Sequence, residues 1–177
     1  MELFHNKDAV LTIEEGALSK IIECTTKDRN LEAGGILLGR KSAAGDTYSI
    51  VDVGQPSELD RRTSISFIRS KVSAKKLVDK AWHNSGGVNN HIGEWHSHTF
   101  DYPIPSFQDK RDMARAYNDG EYVFDYFFTV IISRDFQIFS GLVSQGSIVD
   151  YNIIRVGREI CTDTVQMKIR KRDGRPL

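Results

Sequence analysis

His96 and His98 stand one residue apart in the stretch Gly93-Glu94-Trp95-His96-Ser97-His98. Side chains alternate along a strand, so an extended backbone here projects both imidazoles from the same face, where they can grip one ion. Ten residues intervene between His98 and Asp109, and this loop, which contains Pro103 and Pro105, is long enough to fold that carboxylate back toward the histidines. Two imidazoles and a carboxylate leave one position open on a tetrahedral zinc, whereas a structural site would be closed. The chemistry such a set supports is metal-assisted hydrolysis. Iron and manganese are the other metals this set could take, and zinc suits it well.

Each of these residues also has a purely structural account. A histidine pair is often no more than part of a packed strand, and Ser106-x-x-Asp109 is a capping box with Asp in place of Glu. The two accounts are compatible, since a serine held at a helix start is also a fixed hydrogen-bond donor. Glu94 shares the alternation face of His96, and Asp101 and Asp112 are the other carboxylates within reach of Asp109's role. The same alternation puts Ile92, Glu94, His96 and His98 on one face and His91, Gly93, Trp95 and Ser97 on the other, which makes His91 a poor ligand. Ser97 is expected to hydrogen-bond within the sheet and Trp95 to enter the core.

The elements that must position these groups follow from hydrophobic periodicity. Ala9 to Leu11 read as a short strand, Thr12 followed by Glu15 is a capping-box pattern, and Ile13, Ala17, Leu18, Ile21 and Ile22 form a helical stripe running to about Asp28. Glu32 lies at the lip of the glycine-bounded apolar run 33–39, a buried strand, which makes it half-buried by position. Thr47 to Val53 and Thr63 to Ile68 are further strands, and Ser70 caps a helix through about His83 with Val72, Leu77, Val78, Ala81 and Trp82 mostly on one side. After the histidine strand, His91 to Thr99, a helix starts at Ser106 and stops near Gly120. Tyr122 to Ser133, Gln137 to Ser144 and Ser147 to Ile154 complete the strands, with turns at Asp135 and Gly146. Helices inserted between strands predict an α/β or α+β fold with a mixed sheet flanked by helices. Residues 1–155 are expected to form one domain, and residues 156–177 an extension with a possible short strand, Val165 to Ile169, and a basic end.

Composition bounds the function classes. The 177 residues suit one domain with one core, and 24 basic against 24 acidic side chains leave no global charge to draw nucleic acid or an anionic membrane. The best local basic patch is the tail, with Lys168, Arg170, Lys171, Arg172 and Arg175, and such a run is usually a solvated end. Cys24 and Cys161 form no Cys-x-x-Cys pair, so neither a zinc ribbon nor a disulfide framework is expected. The first residues lack a basic start and an apolar run, and no apolar stretch is long enough to span a membrane, so the expected location is the cytoplasm.

The full set, Glu32, then His96-Ser97-His98, then Ser106-x-x-Asp109 after ten residues, resembles the signature of the JAB/MPN (JAMM) metalloprotease family, with every position filled. The resemblance implies a cytidine-deaminase-like JAB/MPN fold from about Ala9 to about Ile154, with zinc held by His96, His98 and Asp109. It also implies that Glu32 is the general base that takes a proton from water and passes it to the leaving amine, and that Ser106 donates to the oxyanion. Eukaryotic members carry insertions that grip ubiquitin, whereas here the stretches before Asp109 and around Asn118 to Tyr122 are short. The chain is thus similar to the compact, stand-alone bacterial JAB proteins found with E1-like and E2-like partners, including the deconjugating peptidase of antiphage cyclic-oligonucleotide signalling operons. The implied substrate is a peptide or isopeptide bond after the C-terminus of a ubiquitin-like modifier or a conjugated signalling protein. Release of amino acids from a sulphur-carrier protein, a non-catalytic MPN scaffold, and a DNA-associated role for the tail are the other readings. An extended substrate tail is expected to add to the edge of the Thr63 to Ile68 strand, flanked by Arg61, Arg62 and Arg69.

Overall fold

The computed structural model describes residues 1–120, 124 and 126–156. Ten strands and three helices follow one another among these residues: β1 (Glu2–His5), β2 (Val10–Ile13), α1 (Glu15–Lys27), β3 (Gly34–Lys41), β4 (Thr47–Val53), β5 (Arg61–Arg62), β6 (Phe67–Ile68), α2 (Lys71–Asn84), β7 (Asn90–Ser97), α3 (Phe107–Asp119), β8 (Phe127–Ile132), β9 (Gln137–Ser144) and β10 (Ser147–Arg155). Eight strands form one sheet in the order β1-β2-β4-β3-β7-β8-β9-β10, and β5 and β6 form a separate two-stranded hairpin. The sheet is mixed: β2 with β4 and β7 with β8 are parallel, and the other pairs are antiparallel.

Three layers result. The α1 stripe of Ala17, Leu18, Ile21 and Ile22 packs on one face of the sheet, against Leu11, Ile13, Leu37, Tyr48, Ile50, Trp95, Phe128 and Val130, in the large core. On the opposite face, α2 covers Ile36 and Leu38 through Ala74, Leu77, Val78 and Ala81, and α3 covers Phe127 and Val143 through Met113. The α2 stripe is narrower than its sequence predicts, because Val72 and Trp82 remain exposed. None of the described helices is long and apolar enough to cross a membrane.

Several boundaries differ from expectation for identifiable reasons. β1 went unrecognised because it is four residues long with only two buried, yet it pairs antiparallel with β2. Thr12 does not cap α1. It lies in β2, where its hydroxyl meets the Tyr48 carbonyl and the Ser49 hydroxyl, and Glu14 is the residue before the helix, with no side-chain cap. Thr63 to Ile68 is not one strand: the Thr63 amide donates to the Ser66 carbonyl at 2.9 Å and closes a turn, so only Phe67–Ile68 pair with Arg61–Arg62. The six-residue edge expected to receive a substrate tail is therefore absent. Of the strand expected from Tyr122 to Ser133, the described part is β8, Phe127–Ile132, and Tyr122 lies outside the described residues. Cys161, the Val165 to Ile169 strand and the basic tail lie outside the described residues.

Candidate functional site

β7 sits between β3 and β8 in the middle of the sheet, so its backbone is held on both sides. Its last residue is Ser97, and the next amide, of His98, still donates to Ile132 O at 2.8 Å. Both histidines therefore stand on a fixed strand end. The expected alternation holds from Glu94 to His98 but breaks upstream. Gly93 pairs with Leu37 and His91 with Leu38, which leaves Ile92 as an extra, bulged residue. Ile92 consequently joins the α1-side core, and His91 turns to the Glu94 and His96 side, lining the same cleft. His91 is still no ligand, for a reason other than parity: it lies outside the group of converging donors.

Asp109 comes from the first turn of α3. Ser106 caps that helix, accepting from the Asp109 amide at 3.1 Å, while the Asp109 carboxylate accepts from the Ser106 amide at 2.6 Å. This reciprocal box fixes the carboxylate, and its outer lone pairs remain free to face the strand.

The three donors converge. His96 Nε2 and His98 Nε2 lie 3.2 Å apart, His96 Nε2 is 3.4 Å from Asp109 Oδ1, and His98 Nε2 is 3.4 Å from Asp109 Oδ2. Ligands bound at about 2.0–2.1 Å in tetrahedral geometry stand about 3.3–3.4 Å from one another, so this spacing fits zinc. The ring of His98 supports the same conclusion. Its Nδ1 lies 2.8 Å from the Tyr102 carbonyl, which can only accept, so Nδ1 carries the proton and Nε2 of the neutral ring offers a lone pair. A lone pair aimed at a carboxylate calls for a cation between them. Without an ion, a proton serves. Burial pushes the His98 pKa down, but hydrogen bonds to Asp109 and Tyr102 and the charges of Asp109 and Glu32 outweigh it and raise it. Burial alone would raise Asp109, yet hydrogen bonds from His96, His98 and Ser106 hold it far below the usual carboxylate range.

Glu32 lies on the loop between α1 and β3 and is only 2% exposed, more deeply buried than its position at a strand lip implies. Its main chain is pinned: the amide donates to Thr63 O at 2.8 Å, and its carbonyl accepts from Arg62 Nε at 2.7 Å. At the next residue, the Ala33 amide donates to Ser97 Oγ at 2.8 Å and the Ala33 carbonyl accepts from the Ser97 amide at 2.7 Å. Ser97 thus faces away from the histidines, as expected, and ties the Glu32 loop to their strand. Carboxylate oxygen Oε2 of Glu32 is buried with no protein hydrogen bond among the described residues. Burial raises its pKa, His96 and His98 draw it down, and Asp109 pushes it up, which places the carboxylate in the electrostatic company of the triad. A buried carboxylate oxygen without a protein partner fits a site that takes a polar guest.

The rivals are committed elsewhere. Glu94 is paired with Arg69 at 2.6 Å, Asp101 with Arg134 at 3.2 Å, and Asp112 accepts from Gln108 at 2.8 Å. Trp95 is buried and donates to Gly54 O at 2.9 Å, a core role. The sequence reading missed the Tyr102 carbonyl, the Arg62 anchor and a cleft of about 710 Å³ between α2 and α3 that opens onto His96 and Asp109. A main-chain acceptor has no residue-type signature, so Tyr102 was not discoverable from sequence. Arg62 was noticed only as part of a basic flank.

A mixed sheet with two imidazoles at the end of a central strand, a capped aspartate opposite and a buried glutamate beside them defines a JAB/MPN-type domain. Residues 14–142 match the family of prokaryotic homologs of the JAB domain, and the chain belongs to it. It is similar to proteins named CD-NTase/cGAS isopeptidase. The Vibrio cholerae relative is 31% identical over 84 residues, covering 48% of this chain and 53% of the relative. The Pseudomonas aeruginosa relative is 35% identical over 88 residues, covering 50% and 54%. The chain spans about half the length of these curated relatives. The solution structure of the Desulfitobacterium hafniense protein DSY2949 shares the fold, with a TM-score of 0.57 at 20% identity over 80% of this chain and 89% of that one.

Proposed function

We propose that this chain is a zinc-dependent isopeptidase that hydrolyses the bond joining the C-terminus of a conjugated protein to an amine. The observation that carries this reading is the convergence of His96, His98 and Asp109 beside a buried Glu32 oxygen with no protein partner. By likeness to the isopeptidases named above, the conjugated protein is a CD-NTase/cGAS-type signalling enzyme or a ubiquitin-like modifier.

His96, His98 and Asp109 would hold the zinc, which when bound supplies a Lewis acid that polarises the scissile carbonyl and makes a water molecule acidic near neutral pH. Glu32 takes the proton from that water as its oxygen attacks the carbonyl carbon, then delivers it to the departing amine nitrogen as the C–N bond breaks. The products are a carboxylate and a free amine. Burial suits Glu32 to both steps, because its raised pKa brings the carboxyl closer to neutrality than an exposed glutamate. The Ser106 hydroxyl, fixed at the α3 cap, donates to the developing oxyanion. The Tyr102 carbonyl holds the His98 tautomer in its metal-ready form.

The test uses a CD-NTase conjugated through its C-terminal carboxyl to a lysine-bearing peptide. The expected result is cleavage at that bond, abolished by chelation and restored by zinc, with one zinc per chain by elemental analysis. A protein that takes up zinc but leaves this conjugate and a ubiquitin-like fusion intact would refute the isopeptidase reading.

A further inference from the structure

The loop that carries Glu32 belongs to neither α1 nor β3, so nothing in regular secondary structure sets the direction of its carboxylate. Four hydrogen bonds do so instead. Two come from Ser97 and act on Ala33, and two come from the β5–β6 hairpin and act on Glu32 itself. Two of the four use a side chain, Ser97 Oγ and Arg62 Nε, and the bond from Arg62 Nε to the Glu32 carbonyl, 2.7 Å long, can be removed without touching the histidine strand.

The hairpin is well placed to act as an anchor. Its strands have two residues each, too little pairing to be stable alone. It is instead fastened to the site. The Phe67 ring lies over Gly34, where a Cβ would collide with the ring and come within 2.8 Å of the Trp95 carbonyl oxygen. Thr99 Oγ1, one residue after His98, donates to Ser64 O at 2.8 Å. The hairpin therefore packs on the main chain beside the glutamate on one side and holds the side chain of the residue after a histidine on the other.

We infer that Arg62 is a positioning residue for Glu32: by holding the Glu32 carbonyl, it keeps the carboxylate aligned with the triad. The inference rests on Glu32 being the general base. Arg62 acts through geometry, because its side chain meets the backbone of Glu32 and the charges that act on the carboxylate are those of His96, His98 and Asp109. A base displaced by a fraction of an ångström still permits substrate binding but transfers protons poorly, so the effect belongs to kcat.

The experiment compares Arg62→Met, which keeps the apolar stem but has no donor, with Arg62→Lys, which restores one. Arg61→Ala serves as the exposed neighbour control, and all are assayed on the conjugate described above. Arg62→Met is expected to lower kcat about 10- to 100-fold with KM within about twofold of wild type and zinc content unchanged. Arg62→Lys should recover most of the loss, and Arg61→Ala should behave as wild type. In zinc-free protein, amide hydrogen exchange in the segment 30–34 should be faster in Arg62→Met than in wild type and intermediate in Arg62→Lys. Should Arg62→Met fail to fold, Arg62→Leu, which also lacks a donor, gives the same reading. Wild-type kcat in the folded variant overturns the inference, as does a loss that Lys does not repair or that falls on KM. Glu32→Gln run alongside separates the two claims. If it is fully active, the general-base assignment itself fails. If it is inactive while Arg62→Met is not, only the role of Arg62 falls.

Discussion

Trp95 and His96 are neighbours on β7 yet belong to opposite faces of the sheet, and the two faces are built to different ends. On the α1 face, Trp95 joins a continuous apolar core with Leu18, Ile21, Leu37, Tyr48, Phe128 and Val130. On the other face, α2 and α3 each cover only a small apolar cluster, and between them runs the cleft lined by His91, Glu94, His96, Lys75, Asp109 and Asp112. Polar and charged groups cannot be packed as closely as the core without unmatched hydrogen bonds, so the chemical face stays open. One strand thus divides stability from chemistry by the period of its side chains. If that division is real, substitutions on the two faces should separate cleanly in what they change.

The largest expected effect is at the metal. His98→Ala removes a donor from the triangle and leaves Asp109 with one partner fewer, so zinc content by elemental analysis and cleavage should both fall to background. His98 is itself buried, so the variant's thermal midpoint in chelator should fall somewhat, but by less than that of Ile21→Ala. A large midpoint loss there would mean the histidine is part of the structural core and would blur the two faces. Next comes Glu32→Gln, which keeps the side chain's shape and removes its proton chemistry. Zinc should be retained and kcat should drop about 10²- to 10⁴-fold, the usual worth of a positioned acid–base group. Retained activity would move the base elsewhere.

On the opposite face, Ile21→Ala deletes a fully buried side chain from the α1 stripe. Denaturant unfolding should show a loss of about 2–5 kcal/mol, while kcat measured where the variant is still folded should remain within about twofold of wild type. A change in kcat without a change in stability would show that the core face feeds into the site.

The sequence made this division partly legible. His96, Ser97, His98, Ser106 and Asp109 could be read because one strand and one helix cap have strict periods, and a pattern with two such periods constrains where side chains point. Glu32 was recognisable only through the family signature, because the contact that places it spans the sheet: Ser97 is 64 positions from the Ala33 amide it accepts. What failed to show was what residue types do not encode. The bulge at Ile92 has only Gly93 beside it to announce it, a residue type that equally marks close approach of a neighbouring backbone, and it reversed the side of His91. The turn from Thr63 to Ser66 contains neither glycine nor proline, so its β-branched residues read as a strand. The α1 start was misplaced because Thr12 prefers its cross-strand partners on β4 to a capping role.

The smallest effect tests that bulge. Because Ile92 is the extra residue, His91 sits in the cleft wall against the Phe127 ring, close to Arg69. Burial first, and the Arg69 charge second, outweigh the hydrogen bond with the Gly93 backbone and lower its pKa to about 4. An ordinary histidine in the unfolded chain titrates near 6.5. The folded protein therefore holds His91 neutral over a range where the unfolded chain binds a proton. Stability from this group is fully present above about pH 6.5 and is lost as pH falls toward 4, by at most about 3 kcal/mol and less to the extent that water reaches the ring. His91→Gln removes the titration, so the difference in unfolding free energy between wild type and variant should be constant above pH 7 and shift in favour of the variant between pH 6.5 and 4. Zinc-free protein is the sample of choice, since loss of a bound metal on acidification would add its own pH dependence to both proteins. A difference that stays flat to pH 4 would mean His91 is not held in the cleft wall, and the assignment of the strand's upstream half to the chemical face would have to be reversed.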